Sequence, residues 1–363
     1  MSSVESKRSN TISNPLDVII VGGGLSGLTV AWNLSKEKKR WKLLEASSNI
    51  GGRLQNDIAG NDIDLGGAWV WPRQQHMENI IQSLELETFL QPGDSSSFRI
   101  VGGAEAIVKK ILEKLQNGDH NMHCIETNSP VVACHRKSES LASVELASGR
   151  TLHAKHICIA CPPKLVNIHI QFNPPLSSAK SRAMALSQTW MAGVTKVALV
   201  YRSLKFWPDY ESNGGFYPSV NRPAFQMYDA SPRDGSVCAL TFFTLASLSD
   251  DGDDDSKLAK DCADQLCESL SERTIQNFPN IMKDVRGYDE YHVKRWPQEK
   301  YISEDENPDN IAPHPQPNAE LAKSEWDGML LFAGTETDLV SPGVMEGAVG
   351  SAMRATEELL KRL

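Results

Sequence analysis

Cysteine is sparse in this 363-residue chain: there are seven, scattered and odd in number. That excludes the disulfide framework of a small secreted scaffold and fits a reducing compartment. No apolar run is long enough to cross a bilayer, so no membrane-spanning helix is expected. Positive charge is nowhere concentrated, and the net charge is −9. Nucleic acid and anionic membrane surfaces are therefore poor partners. No internal repeat is visible. The opening MSSVESKRSNTISN lacks the apolar core of a secretory leader, so residues 1–15 read as a disordered tail and the chain as cytoplasmic. What remains is 40% apolar and 23% charged, ordinary for a globular protein long enough to form two structural units.

Metal and redox signals are equally thin. Cys158 and Cys161 form a C-x-x-C inside HICIACPP, an apolar strand running into two prolines, with no second Cys or His pair beside it. Buried strand cysteines fit better than a metal or redox pair. The acidic SDDGDDDSK (249–257) lacks the glutamate that closes an EF-hand loop and reads as a solvated loop. SEDENPDNIAPHPQPN (303–318) is a connecting loop. No metal is expected.

What the sequence has is DVIIVGGGLSGLTVAWNL. Asp17–Val21 predicts a buried strand, Leu25–Ser35 a helix and Lys42–Glu45 a second parallel strand. Gly22, Gly24 and Gly27 satisfy G-x-G-x-x-G at the mouth of that helix. The first glycine allows the tight turn, the second lets phosphates approach backbone N–H groups, and the third lets helix and strand pack closely. The helix N-terminus offers partial positive charge to a pyrophosphate. Glu45 stands where an acid accepts hydrogen bonds from a ribose diol and repels a 2′-phosphate. The fingerprint does not separate NAD from FAD.

Downstream, GAEAIVKKILEKL places Ile107, Val108, Ile111, Leu112 and Leu115 on one helical face. SPVVACH, LASVELASG and KHICIAC read as strands. Between Pro174 and about Trp296 the pattern changes: VTKVALVY and VCALTFFTL are strand-like, and a helix runs around Leu258, Cys262, Leu266 and Leu270. GMLLFAGTET is a strand entering a turn, and MEGAVGSAMRATEELLKRL a closing helix whose small residues permit close backbone packing.

Beyond Glu45, LEASSNIGGRL presents Gly51, Gly52 and Arg53, and DIDLGGAWVW follows. Together with SPVVAC, HICIACPP, IQFNPPL and FAGTETDLVSPGVMEGAVGSA, in that order along nearly the whole chain, these stretches resemble the flavin amine oxidase family. That family includes the monoamine and polyamine oxidases and the flavin histone demethylases. The resemblance implies an α/β fold: a Rossmann-type FAD-binding domain (16–88, 98–176 and 320–363) with an inserted, reduced substrate domain of mixed sheet and helix (89–97 and 177–319). It implies FAD as cofactor, bound by Gly22, Gly24, Leu25, Ser26, Gly27, Glu45, Ala46, Gly52 and Arg53. Gly66, Gly67, Ala68 and Trp69 then pass beside the flavin ring, and the Val131 backbone meets the adenine. Gly334, Thr335 and Glu336 lie near the ribityl chain and phosphates, and Gly343, Val344 and Met345 lead into the backbone N–H that approaches a flavin carbonyl.

The resemblance also assigns chemistry. Lys196, in MAGVTKVALVYRSLKFW with Phe206 and Trp207 closing the pattern, holds a water against flavin N5, and Trp296 in HVKRWPQEKY stands near the flavin. The implied reaction takes a hydride from the carbon beside an amine nitrogen, gives an imine that hydrolyses, and yields hydrogen peroxide with molecular oxygen. The alternatives are a carbon–carbon desaturase or porphyrinogen-type oxidoreductase, and a FAD-binding protein without amine turnover.

The sequence departs from the family in three places. Val344 stands where monoamine oxidases have the second tyrosine of an aromatic cage. Glu306 stands at the first, with Tyr301 as a substitute if the loop is shortened, and Asp305 replaces the cysteine that tethers flavin, so FAD is expected to be non-covalent. About thirty residues separate Trp69 from Val101, where the family carries a long helical segment. The pocket wall and lid are expected to be absent, leaving the flavin more exposed or covered by a second copy in a homo-oligomer. For an amino-acid substrate, Arg182, Arg202 and Arg222 are the candidate carboxylate clamps.

Overall fold

The apolar run after Pro15 forms the buried strand Leu16–Val21, and the glycine turn leads into the helix Leu25–Lys36. The computed structural model describes residues 15–94, 96–117, 125–202, 223–245, 254–303 and 314–363, in two compact units. The first unit comprises 1–52, 110–188 and 314–363, and the second 53–109 and 189–313.

The first unit is built on an eight-stranded sheet. Leu16–Val21 pairs in parallel with Trp41–Leu44 on one side and Thr151–Ile159 on the other. Trp41–Leu44 pairs onward with Ile125–Glu126. The long strand Thr151–Ile159 is shared: its start pairs antiparallel with Ala142–Leu146, and its end pairs in parallel with Leu330–Phe332. Val131–Arg136 and then Gln171–Asn173 extend the sheet beyond Ala142–Leu146. Val18, Ile19 and Ile20 are all fully buried, as a central parallel strand covered on both faces requires. Ile19, Val21, Ile157, Ile159, Leu330 and Phe332 share one core cluster. The closing helix is Met345–Leu360, and a side chain at Gly347 would meet the Ser341 carbonyl at 2.0 Å, so that small residue does permit close backbone contact.

The second unit holds a four-stranded antiparallel sheet ordered Ala224–Asp229, Cys238–Leu245, Val194–Tyr201, Glu290–Arg295. Strand alternation divides Val194–Tyr201 cleanly. Val197, Leu199 and Tyr201 pack with Leu258, Ala259, Cys262 and Leu266 of the helix Asp255–Ser269 and with Ile281 and Val285 of Ile281–Arg286. Val194, Ala198 and Val200 point to the opposite face, against Ile63, Leu65, Ala68, Tyr228 and Phe243. Lys196 belongs to that second face by the same alternation.

The units divide the chain differently from the expected domains. Residues 53–88 and 98–109 cluster with the second unit, because Ile63, Leu65 and Ala68 are core there and Trp69–Val70, Phe98–Ile100 and Thr88–Leu90 form a small antiparallel sheet. Residues 177–188 and 314–319 cluster with the first, where Ala183 and Met184 of the helix Ser178–Leu186 join the core. Locally, the second strand ends at Leu44, leaving Glu45 just beyond it. The acidic run ends as a helix start, with the Asp254 carboxylate accepting the Lys257 N–H at 3.0 Å; residues 246–253 lie outside the described residues, as do the tail 1–14 and the loop 304–313.

Candidate active site

The first unit contains the dinucleotide cradle, and the reason for Gly22 and Gly27 is steric. Gly22 has φ 105°, and a side chain there would meet Cys161 Sγ at 2.7 Å. A Cβ on Gly27 would stand 2.0 Å from the Gly22 carbonyl oxygen, so the helix approaches the turn only with hydrogen at that position. Gly24 is the N-cap and offers no side-chain cap, so N–H groups of the first turn, at Leu25 and Ser26, are left to a ligand.

The GGR loop lies directly on this turn. Gly51 N–H donates to the Gly23 carbonyl at 2.9 Å, and a Cβ at Gly52 (φ 59°) would touch Gly24 Cα at 3.1 Å. The Glu45 carboxylate is held by two backbone donors, Gly23 N–H at 2.6 Å and Ser47 N–H at 2.8 Å. Each oxygen keeps a lone pair for a further donor. Ala46 joins Glu45 to Ser47, and Ser129 N–H donates to the Glu45 carbonyl at 2.8 Å, which brings the start of Val131–Arg136 beside the acid. A glycine turn without side chains, an uncapped helix N-terminus and a fixed acid make this a site that fits a dinucleotide pyrophosphate and its ribose.

The same unit brings the C-terminal signature together. A Cβ at Gly334 would stand 2.6 Å from the Cys161 carbonyl oxygen. Thr335 Oγ1 donates to the Val344 carbonyl at 2.7 Å, and Glu336 is fully buried. Gly343 has φ 86°. Val344 is the N-cap of Met345–Leu360, again without a side-chain cap, so the Met345 end of that helix presents backbone donors. Cys158 is buried on its strand and Cys161 contacts the Val21 carbonyl; burial pushes the Cys158 thiol up to about 12 and the Cys161 thiol higher still. Neither is poised as a thiolate, and no metal-binding group of His, Cys, Asp and Glu occurs among the described residues.

The second unit gathers Lys196, Trp296 and Trp69 around the Gly66–Gly67 turn. The Arg53 carbonyl accepts the Gly67 N–H at 3.1 Å, and a Cβ on Gly66 would fall 2.0 Å from that oxygen. Lys196 Nζ donates to the Gly66 carbonyl at 2.6 Å, and the Trp296 indole N–H donates to the neighbouring Leu65 carbonyl at 2.9 Å. Lys196 is only 2% exposed. Its ammonium lies 4.6 Å from the ring centroid of Phe243, 5.6 Å from Tyr228 and 6.0 Å from Trp69. Trp69 stacks on Phe243 at 5.8 Å and meets Tyr228 edge-on at 4.6 Å. Burial lowers the Lys196 pKa to about 7, with Asp64 opposing and Arg99 reinforcing the drop.

Sequence reasoning missed Tyr228, Phe243, Arg99 and Gln91. Strand-period apolar and aromatic residues signal core and nothing more, and Arg99 sits unmarked between Phe98 and Ile100. Yet Trp69 Nε1 donates to Gln91 Oε1 at 3.0 Å, and Gln91 Nε2 donates to the Asp229 carbonyl at 2.9 Å. Of the clamp candidates, Arg202 pairs with Glu290 at the surface and Arg182 is exposed. Tyr301 is half-buried beside Lys300, while Tyr228 and Phe243 flank Lys196. Arg222, Phe206, Trp207, Asp305 and Glu306 lie outside the described residues.

The family model described as flavin containing amine oxidoreductase matches residues 89–360, and that for an NAD(P)-binding Rossmann-like domain matches residues 20–84. Bovine amine oxidase [flavin-containing] B is 26% identical over 269 residues, 72% of this chain and 47% of its own length. The chain thus spans about half the length of such curated relatives. The amine oxidase [flavin-containing] of Oncorhynchus mykiss is 22% identical across 96% of this chain and 87% of its own; that match runs over 472 residues, more than this chain contains. Among solved structures, cyclohexylamine oxidase from Brevibacterium oxydans IH-35A superposes with a TM-score of 0.77 at 17% identity, covering 96% of this chain and 99% of that one. Putrescine oxidase bound to putrescine gives 0.74 at 16% identity, covering 96% and 100%. These structures share the fold.

Proposed function

The chain belongs to the flavin-containing amine oxidoreductase family, whose cofactor is FAD, and we propose that it oxidises a small-molecule amine at the carbon next to nitrogen. Bound FAD supplies the hydride acceptor at N5 and, with molecular oxygen as the final acceptor, hydrogen peroxide is released; the imine hydrolyses to an aldehyde or ketone and ammonia or an amine. The chain's own residues supply binding, orientation and proton control. In the first unit Gly22, Gly24 and Gly27 expose backbone donors to the pyrophosphate, and Glu45 takes the ribose hydroxyls. FAD is held without a covalent tether.

In the second unit Lys196 binds a water through Nζ and moves protons there, while Trp69, Tyr228 and Phe243 exclude bulk solvent around it. Trp296 fixes the Leu65–Gly66 backbone from its other carbonyl. An apolar aromatic surround favours a neutral amine over an ammonium, the form from which hydride leaves. The observation that carries this reading is the buried Lys196 within three aromatic rings, donating to the carbonyl of Gly66.

No helix among the described residues is long and apolar enough to cross a membrane. We take the protein to work in the cytoplasm, with a second copy of the chain covering the shortened substrate domain. The test of function is anaerobic mixing of the flavoprotein with primary amines, polyamines, N-methyl amines and amino acids. Loss of visible flavin absorbance with one class, and recovery with peroxide on admitting air, is the expected result. No bleaching by any amine overturns the proposal.

A further inference from the structure

The second unit buries three charge-bearing side chains together, in a core where apolar packing would be expected. Asp64 is 0% exposed, Arg99 1% and Lys196 2%. Asp64 Oδ1 accepts the Ala104 N–H at 2.7 Å, and its Oδ2 lies 3.5 Å from Arg99 Nη2. Arg99 Nη1 donates to the Ser231 carbonyl at 2.8 Å. Tyr228 lies near both cations: Arg99 Cζ is 6.0 Å and Lys196 Nζ 5.6 Å from its ring centroid, and its hydroxyl donates to the Asp64 carbonyl at 3.1 Å. Lys196 bonds to Gly66, two residues along from Asp64.

One carboxylate compensates one buried cation. An arginine does not surrender its proton in a protein, whereas a lysine does. Resting on the amine oxidase reading of Lys196, we propose that Arg99 is a positioning residue: by claiming Asp64 as its partner it leaves Lys196 the uncompensated cation, the member that gives its proton to solvent. The cluster then passes from one net positive charge to none. The arrangement uses Arg99 without bringing it to any reacting atom, and it explains why so costly a group as an arginine is fully buried.

Among the described residues, the titratable groups near Lys196 have contacts of their own. Its cross-strand neighbour Lys294 is ion-paired with Glu299. His292, opposite Ala198, lies 3.8 Å from the Asp57 carboxylate. The Asp229 carboxylate accepts the Ser231 N–H at 2.9 Å. Burial holds the Tyr228 phenol above its ordinary range, and it stays neutral. Burial also holds the Asp64 carboxyl above its ordinary value, against the pull of Arg99 and the Ala104 amide; protonating it would leave Arg99 buried without a counter-ion.

The test reads Lys196 directly, by pH titration of isotope-labelled lysine side chains in the full chain with FAD and without amine. Its signal is assigned by its loss in Lys196→Met. Arg99→Gln frees Asp64 for Lys196, so the Lys196 midpoint rises by about 1 to 3 in pH. Asp64→Asn is isosteric, keeps an acceptor for Ala104, and removes the carboxylate paired with Arg99, so the midpoint falls. Arg99→Lys restores a cation and returns the midpoint toward the wild-type value. Opposite movement in the first two variants is the expected result, and a general loosening of the core does not produce it. If Arg99→Gln does not fold, Asp64→Asn decides by itself. A midpoint that is unmoved, or that shifts the same way in both, overturns the proposal. Failure of the amine panel to bleach flavin overturns the functional reading and leaves this titration unaffected.

Discussion

The two units build their sites by opposite means. The cradle of the first unit is made by removing side chains: backbone approaches backbone at Gly27 and Gly22, Gly52 and Gly24, Gly334 and Cys161. The site of the second is made by inserting large and charged side chains into a core: Lys196, Arg99, Asp64, Trp69, Tyr228 and Phe243. The first kind of site tolerates no added atom at Gly22, Gly27 or Gly334. The second depends on which charges are present. Substitutions should therefore fail for different reasons in the two places.

The largest effect is expected at Gly27→Ala. The added carbon falls 2.0 Å from a backbone oxygen, and no rotamer relieves that. The purified variant should carry no FAD by its visible spectrum and be strongly destabilised. Gly149→Ala is the matched control: φ is 79° but nothing stands within 4 Å, so a cost of about 1 kcal/mol with FAD retained is expected. Equal losses in the two would remove the steric account of the cradle.

Next in size is Asp64→Ala, which leaves Arg99 buried without its counter-ion. A cost of about 3–5 kcal/mol in denaturant unfolding is expected, with the glycine turn untouched in sequence. A cost below about 1 kcal/mol would mean the pair is solvated in the protein.

A pH dependence follows from two buried lysines. Burial lowers Lys196, and likewise Lys180, which donates to the Leu321 carbonyl at 3.0 Å, to about 7. Unfolded, each titrates near the ordinary lysine value of 10.5. Between those values the unfolded chain binds protons that the fold does not, so stability rises with pH from about 7 toward 10.5. The contribution is at most about 1.4 kcal/mol per pH unit for each lysine. Thermal unfolding at pH 7 and pH 9 checks the sign, and Lys180→Met and Lys196→Met should each flatten part of the slope.

The smallest effect belongs to Lys260→Ala, which breaks an exposed ion pair with Asp264 at 2.9 Å. Its cost should stay within about 0.5 kcal/mol with FAD content unchanged.

Legibility in the sequence follows the same divide. The cradle could be read because its parts are local: the strand, the glycines and the helix fall within one short stretch, and Glu45 follows directly on the next strand. Even there the reason for Gly51 and Gly52 was not visible, since it lies in their contact with the first turn. Lys196 and Trp296 were found through family resemblance, because a lysine between apolar strand neighbours has no pattern of its own. Arg99, Tyr228 and Phe243 were not found at all. Their partners lie far along the chain, as with Arg99 and Ser231 or Tyr228 and Asp64, and only the fold brings them together. The placing of residues 53–88 and 98–109 in the second unit has the same cause: Ile63, Leu65 and Ala68 find their core against Val194 and Ala198.

The division of labour between cradle and buried lysine is tested most directly by Lys196→Met, with FAD content and anaerobic flavin reduction by an amine measured on the same sample. The account predicts a full complement of FAD with reduction or re-oxidation slowed by about 10²-fold or more. Unchanged kinetics with FAD bound would contradict it and take Lys196 out of the mechanism.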